Sequence, residues 1–129
     1  MRVKYSYLEE QFKNPDYILR DLEKLVKRGD FTLGKEVEIF EKRFAQLASA
    51  KFAVGVSSGT AALLLGLQAV GVGHGDEVIT APNTFFASVN AIAAVGAKPV
   101  FVDVGEDYNI NSELIENAIN ERTETCGNE

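Results

Sequence analysis

The 129-residue sequence has little cysteine, little clustered positive charge and no long apolar run. Its single cysteine, Cys126, cannot form a disulfide within the chain. The formal net charge of −6 opposes binding to nucleic acid or to an anionic membrane, because clustered Lys and Arg hold such partners. No apolar segment is long enough to span a bilayer, and the first residues lack the pattern of a signal peptide. We therefore expect a cytoplasmic protein with no nucleic-acid and no membrane partner.

Histidine is also scarce, which bears on metal binding. The sequence contains one histidine, His74, and no pair of cysteines, so we predict no metal site. The segment 71–76 around His74, GVGHGD, partly matches a dinucleotide-binding fingerprint. Its third glycine is misplaced, and the segment leaves a helix and enters a strand, the reverse of the order that such a site needs. The pattern instead predicts a helix-to-strand turn with an exposed His74.

The sequence does contain an alternation of helix and strand patterns. With 46% hydrophobic and 25% charged residues, it is typical of one modest globular domain. A capping Asn14 begins the first helix, Gly29 ends it, and Asn111 or Ser112 caps the last. The predicted helices are 15–28, 37–47, 59–70, 86–95 and 112–119, and the predicted strands are 52–57, 77–80 and 98–104. We interpret the first two helices as packing helices, and the whole as an α/β fold with mostly parallel strands and flanking helices.

The segment Phe52–Val70 carries the strongest functional pattern. A Val-rich run ends at Ser57, and an Ala/Leu-rich helical run follows Gly59 and Thr60. The first amides of a helix lack intrahelical acceptors and lie at the positive end of its dipole, so they bind anions. The sequence therefore predicts a phosphate site at this turn.

A second turn, 81–86, follows the next predicted strand and contains Phe85. Ligands of parallel sheets bind at the carboxyl ends of the strands, where both turns are expected to lie. On pattern alone a Phe after a strand is more often a core residue than a platform for a ligand ring. Both interpretations stay open at this point.

Several separated motifs together resemble one family. They agree in order and spacing with the DegT/DnrJ/StrS family of nucleotide-sugar aminotransferases, from about Leu8 to Thr123. The motifs are Gly34, Phe40-Glu41, Phe44-Ala45, 56–63 (VSSGTAAL), 71–79 (GVGHGDEVI), Pro82, Thr84-Phe85 and 96–103 (GAKPVFVD).

The resemblance implies an incomplete large domain of a fold-type-I transferase that uses pyridoxal 5'-phosphate. Such enzymes move an amino group, commonly from glutamate, onto a keto-sugar linked to a nucleotide, and we expect a homo-oligomer, most simply a homodimer. By resemblance, Gly59, Thr60 and Ala61 bind the cofactor phosphate and Phe85 stacks on its ring.

No catalytic residue is assigned, because the family's cofactor-binding lysine lies after the position matching Thr123. None of the eight lysines matches it, so covalent attachment at the family position is not expected. We expect residues 1–123 to be the N-terminal part of the large domain and 124–129 to be a divergent polar tail without strand alternation. The expectation is an inactive chain, truncated before the catalytic lysine.

Two alternatives remain: a non-catalytic binding or dimerisation module, and a sugar dehydratase of the same fold. An unrelated nucleotide-binding domain is disfavoured, since the sequence has no Walker-type Gly-Lys-Ser/Thr. In the family, the strand matching 52–57 pairs with later sequence. Here it would keep unpaired edges, which predicts marginal stability, self-association or a local rearrangement.

Overall fold

The computed structural model describes residues 5–126, with the backbone alone at 124–126. It divides the chain into two compact units, with the boundary between Gly55 and Val56. The first unit is helical, and the second contains the sheet.

The first unit consists of three helices: α1 Leu8–Gln11, α2 Asp16–Arg28 and α3 Lys35–Leu47. The predicted end of α2 is confirmed, because Gly29 adopts the left-handed conformation (φ 67°) and donates its amide to the carbonyls of Leu25 and Val26. The predicted cap is wrong. Pro15 occupies the N-cap position and no side chain caps the helix, so α2 begins one residue later than an Asn14 cap requires.

The interpretation of α2 and α3 as packing helices is not supported within the described residues. Helix α2 buries no residue and α3 buries only Ala45. The apolar side of α3 stays half exposed, with the Phe40 and Phe44 ring centroids 5.7 Å apart. Helix α3 also holds the end of the unit, because Glu41 Oε1 accepts the Gly55 amide at 2.7 Å.

The second unit confirms the α/β architecture. Its elements are α4 Gly59–Ala69, β1 Glu77–Thr80, α5 Phe86–Ala94, β2 Lys98–Phe101, α6 Ser112–Ala118 and β3 Thr123–Cys126. The three strands are parallel in the order β2-β1-β3. Glu77 pairs with Lys98 and Thr123, and a bulge follows in the β1–β3 pairing. Asn111 caps α6 by accepting the Glu113 amide, as one of the two predicted caps.

The predicted strand 98–104 ends earlier than expected, at Phe101. Two further strand expectations differ from the structure in whether a strand forms. No strand forms within 52–57, where the amide of Gly55 bonds to a side chain rather than to a neighbouring strand. A strand does form at Thr123–Cys126, where the sequence suggested a polar tail without strand character. Both differences have one cause: a strand exists only where a neighbour offers backbone partners. Residues 127–129 of the predicted tail lie outside the described residues.

The core of the second unit lies between the helices and the sheet. A buried cluster of Val72, Val78, Ile92 and Ala97 is flanked by Leu67 and Val95. Helix α5 packs on β1 and β2, and α4 packs on α5. The core therefore combines one strand face, one helix and the turns that join helices to strands.

The turns before β1 and β2 fix the direction of both helices. Gly96, between α5 and β2, has φ 85°, and a Cβ built on it would lie 3.6 Å from His74, in the turn between α4 and β1. His74 is exposed in this turn, as predicted. Both helices thus end at the edge where the strands begin, which we call the amino edge. They start towards the opposite, carboxyl edge.

Candidate cofactor site

The predicted phosphate turn forms the first turn of α4. Ser58 is the N-cap residue, and its Oγ accepts the Ala61 amide at 3.1 Å. The Ser58 carbonyl accepts the Ala62 amide at 3.0 Å. Within residues 5–126 the amides of Gly59 and Thr60 have no acceptor. Two amides at the positive end of the helix dipole therefore stay available to an anion.

The space beside this turn is open. A Cβ built on Gly59 would meet nothing within 4 Å, and Gly59 and Thr60 are exposed. From residue 56 onwards the sequence has only two cationic side chains of Lys or Arg, Lys98 and Arg122. Both lie against Glu77 at the amino edge. An anion at the phosphate turn would thus be held within this unit by amides and by the Thr60 hydroxyl.

Phe85 follows β1 and is the N-cap residue of α5, with φ −66° and ψ 139°. Its side chain is 76% exposed, and that of Phe86 is 69% exposed. The pattern-based interpretation of Phe85 as a core residue is therefore wrong, and its ring is accessible to a ligand. The side chains beside it are tied together, since Thr84 Oγ1 lies 3.3 Å from Ser88 Oγ.

The topology brings the predicted site residues to one edge of the sheet. Gly59, Thr60 and Ala61 form the start of α4, and Phe85 precedes α5. Because both helices end at the amino edge, both starts lie towards the carboxyl edge, where parallel sheets bind ligands. The arrangement offers anion-binding amides from one turn and an aromatic face from the next.

A shallow depression between α4 and α5 was not expected from the sequence. It has a volume of about 490 Å³ and is lined by Thr60, Leu64, Asn90, Ala91, Ala93 and Ala94. The signal that could have indicated it is the composition of α4 and α5, whose apolar residues lie on all sides rather than on one face. Such helices are typical of positions covered on more than one side.

A polar cluster at the amino edge was also missed. Glu77 is 4% exposed, and its carboxylate accepts hydrogen bonds from Lys98 Nζ at 3.0 Å and from Asn120 Nδ2 at 2.7 Å. Arg122 adds an ion pair at 3.7 Å. The Asn120 hydrogen bond, followed by that of Lys98, lowers the pKa of the Glu77 carboxyl. Lys98 is exposed along its side chain, and its ammonium is held by the Glu77 carboxylate.

In the part of the chain that the structure describes, no group of three or more His, Cys, Asp or Glu side chains converges to hold a metal ion.

No helix within residues 5–126 combines the length and hydropathy that crossing a bilayer requires.

Comparison with known proteins adds a family. A model of the DegT/DnrJ/EryC1/StrS aminotransferase family matches residues 14–126, so the match continues past Thr123 into β3. The dTDP-3-amino-3,4,6-trideoxy-alpha-D-glucose transaminase of Micromonospora megalomicea subsp. nigra is 43% identical over 120 residues, which are 92% of this chain and 32% of the relative. The UDP-2-acetamido-2-deoxy-3-oxo-D-glucuronate aminotransferase of Pseudomonas aeruginosa is 39% identical over 115 residues, 88% of this chain and 32% of the relative.

A solved structure has the same fold over nearly all of this chain. The crystal structure of S. venezuelae DesV superposes with a TM-score of 0.87 at 38% identity, covering 95% of this chain and 33% of that one. The chain thus spans about a third of the length of the relatives that it matches.

Proposed function

This chain belongs to the DegT/DnrJ/EryC1/StrS aminotransferase family, and we propose that its second unit holds the phosphate and the ring of pyridoxal 5'-phosphate. The observation that carries the proposal lies at one edge of the sheet. There the amides of Gly59 and Thr60, which have no acceptor among residues 5–126, lie at the same edge as the exposed ring of Phe85.

The phosphate turn fits the phosphate. The amides of Gly59 and Thr60 would donate to its oxygens, with the Thr60 hydroxyl as a third donor. Ala61, which the resemblance assigns to the same function, already donates its amide to Ser58 Oγ. Its role is then to close the turn, so that the first two amides point outward.

Phe85 fits the ring of the cofactor. A flat pyridine ring can stack on an accessible aromatic ring, and Phe85 is 76% exposed. When bound, pyridoxal phosphate supplies an electron sink for amino-group transfer. Phe85 would orient that ring, and the phosphate turn would anchor it.

The substrates follow from the family and from the named relatives. The M. megalomicea and P. aeruginosa enzymes carry dTDP-linked and UDP-linked sugars in their names. We propose that the protein to which this chain corresponds transfers an amino group, with glutamate as donor, to a nucleotide-linked keto-sugar. We also propose that residues 1–123 are the N-terminal part of its large domain, and that it acts as a cytoplasmic homodimer.

Residues 1–129 alone are proposed not to transaminate. The lysine that would hold the cofactor covalently matches none of the eight lysines present. Lys98, the one lysine from residue 56 onwards, bonds to Glu77 at the amino edge, away from the phosphate turn. Binding of the cofactor is therefore separable from turnover in this chain.

The test is a titration of the chain with pyridoxal phosphate and with inorganic phosphate. Gly59→Asp is the informative variant, since a side chain fits there and an acid favours the start of a helix while repelling phosphate. Gly66→Asp is the matched control, with the same charge change in the same helix and equally open space. We expect Gly59→Asp to abolish binding of both ligands and Gly66→Asp to retain it.

Two outcomes would overturn the proposal. If the unmodified chain binds neither ligand, or if both variants lose binding equally, the phosphate turn is not the site. Separately, borohydride reduction with pyridoxal phosphate should give no single stoichiometric lysine adduct. A defined adduct, with turnover of glutamate and a nucleotide-linked keto-sugar, would contradict the proposed inactivity.

A second candidate is a non-catalytic module that docks onto a longer relative. Helix α4 favours it, because its residues are apolar on all sides and none of them is buried. Mixing the chain with a full-length relative and measuring co-elution tests this candidate. Co-elution that Leu65→Asp abolishes would support docking through α4, and separate elution would reject it.

A further inference from the structure

We propose that Thr84 is a positioning residue for the Phe85 ring, acting through its hydroxyl contact with the buried Ser88. The inference rests on the proposed function, because the orientation of this ring matters only if a ligand ring stacks on it. Thr84 itself is not proposed to touch the ligand.

Little of the protein surrounds the Phe85 ring. Phe85 is 76% exposed. Among residues 5–126 its ring stacks on no other aromatic ring, since the one aromatic pair there is Phe40 with Phe44 in the first unit. The backbone must therefore set the direction of the ring. Phe85 is held as the N-cap residue of α5, and its carbonyl accepts the Ser88 amide at 3.1 Å.

Ser88 connects this turn to the core. It is 8% exposed, and it shares the buried side of α5 with Ala91 and Ile92, three and four residues later. Thr84 Oγ1 lies 3.3 Å from Ser88 Oγ, so the residue before Phe85 contacts the side chain of the same residue whose backbone amide bonds the Phe85 carbonyl. The two contacts hold Phe85 from both sides.

Loss of the Thr84 hydroxyl should loosen only this turn. The ring would then sample more orientations, and a ligand would have to restrict them on binding, which lowers affinity. The phosphate turn at Gly59 and Thr60 belongs to another helix and should keep its geometry. The effect should therefore depend on whether the ligand has a ring.

The first test compares two ligands in Thr84→Val. Affinity for pyridoxal phosphate should fall by about two- to ten-fold, the range of one aromatic stacking contact, while affinity for inorganic phosphate stays unchanged. Thr84→Ser is the matched control, which retains the hydroxyl and should restore the affinity. Equal weakening for both ligands, or no weakening for either, would overturn the proposal.

A double-mutant cycle separates positioning from an independent contribution. In Phe85→Ala the ring is gone, so adding Thr84→Val should cause no further loss of affinity for pyridoxal phosphate. A second loss of the same size would show that Thr84 acts independently of the ring, and would overturn the proposal. Phe86→Ala, which removes the neighbouring exposed ring, should leave the Thr84→Val effect intact.

A ligand-free measurement decides the inference even if the chain binds no cofactor. By NMR, Thr84→Val should lower the backbone order parameters of residues 85 and 86 and leave those of 59 and 60 unchanged. Unchanged order at 85 would overturn the positioning role. If Thr84→Val fails to fold, Ser88→Ala removes the other hydroxyl and should give the same pattern. Absence of all binding with this pattern present would reject the proposed function and retain the positioning role.

Discussion

At the amino edge of the sheet the polar groups satisfy one another, whereas at the carboxyl edge they face outward. The buried Glu77 carboxylate binds partners from two segments of the chain: Lys98 at the start of β2, and Asn120 and Arg122 in the turn before β3. Lys98 lies 21 residues and Asn120 lies 43 residues after Glu77 in the chain, so these contacts join β1 to the segments on both of its sides.

The carboxyl edge has the opposite character. The amides of Gly59 and Thr60 lack acceptors among residues 5–126, and Phe85 is exposed. The cations of the second unit are used at the amino edge, so a ligand anion at the other edge depends on backbone dipoles. The two edges therefore have different functions. The amino edge stabilises the sheet, and the carboxyl edge offers groups that can bind a ligand.

The largest expected effect comes from a substitution in the buried core of the second unit, which supports both edges of the sheet. Ile92 is 3% exposed and lies in the cluster with Val72, Val78 and Ala97. We expect Ile92→Ala to lower the free energy of unfolding by about 2–5 kcal/mol, because it leaves a cavity. Urea denaturation followed by circular dichroism measures the change. Leu65→Ala, at a side chain 49% exposed, is the control and should cost less; equal losses would contradict the assigned core.

The next largest effect is expected at the amino edge, where the stability of the protein should depend on pH. The pKa of the Glu77 carboxyl lies below its ordinary value of 4.5, so its contribution to stability is present above pH 4.5 and is lost as pH falls through the lowered pKa. Glu77→Gln should melt at a lower temperature at neutral pH and lose less stability in acid than the unmodified chain. Melting temperatures over a pH series measure both.

The control for this prediction is Glu116→Gln, at an exposed side chain of α6. It should retain the melting temperature at neutral pH and the acid dependence of the unmodified chain. If Glu77→Gln and Glu116→Gln behave alike, the Glu77 cluster does not hold the strands together. Phosphate binding at neutral pH should survive in folded Glu77→Gln, since the site lies at the other edge.

A smaller effect is expected at the start of α4. Ser58→Ala removes the cap on the Ala61 amide, which costs about 1 kcal/mol. Thermal melting measures the loss. Ser57→Ala, one residue earlier and exposed, should cost less. Equal losses would mean that the Ser58 cap is not what begins the helix.

Local features of both edges could be predicted from sequence. The run Ser57-Ser58-Gly59-Thr60 before Ala and Leu residues predicts the start of α4, since turn and helix propensities act between near neighbours. Gly29 and Asn111 marked helix ends for the same reason. The cap that Ser58 forms is seen only in the structure. The exposed Phe85 was predicted as a platform through the family resemblance, because local pattern alone favoured a core position.

Features that depend on distant pairing could not be predicted. The residues of Thr123–Cys126 lack the apolar pattern of a strand, yet their backbone pairs with β1. The Val-rich run at 52–57 does resemble one and forms none, because no neighbour pairs with it among the described residues. The Glu77 cluster likewise requires the register of β1 with β2, which no single segment contains.

The smallest expected effect tests whether the two edges are independent. Lys98→Met removes the ammonium that bonds to Glu77, so the melting temperature should fall. Because Lys98 lies at the amino edge, the affinity for inorganic phosphate should not change, as isothermal titration can measure. Reduction with borohydride in the presence of pyridoxal phosphate should likewise trap no less cofactor than in the unmodified chain. A loss of phosphate affinity in folded Lys98→Met would mean that this cation contributes to the anion site. The two edges of the sheet would then not be independent.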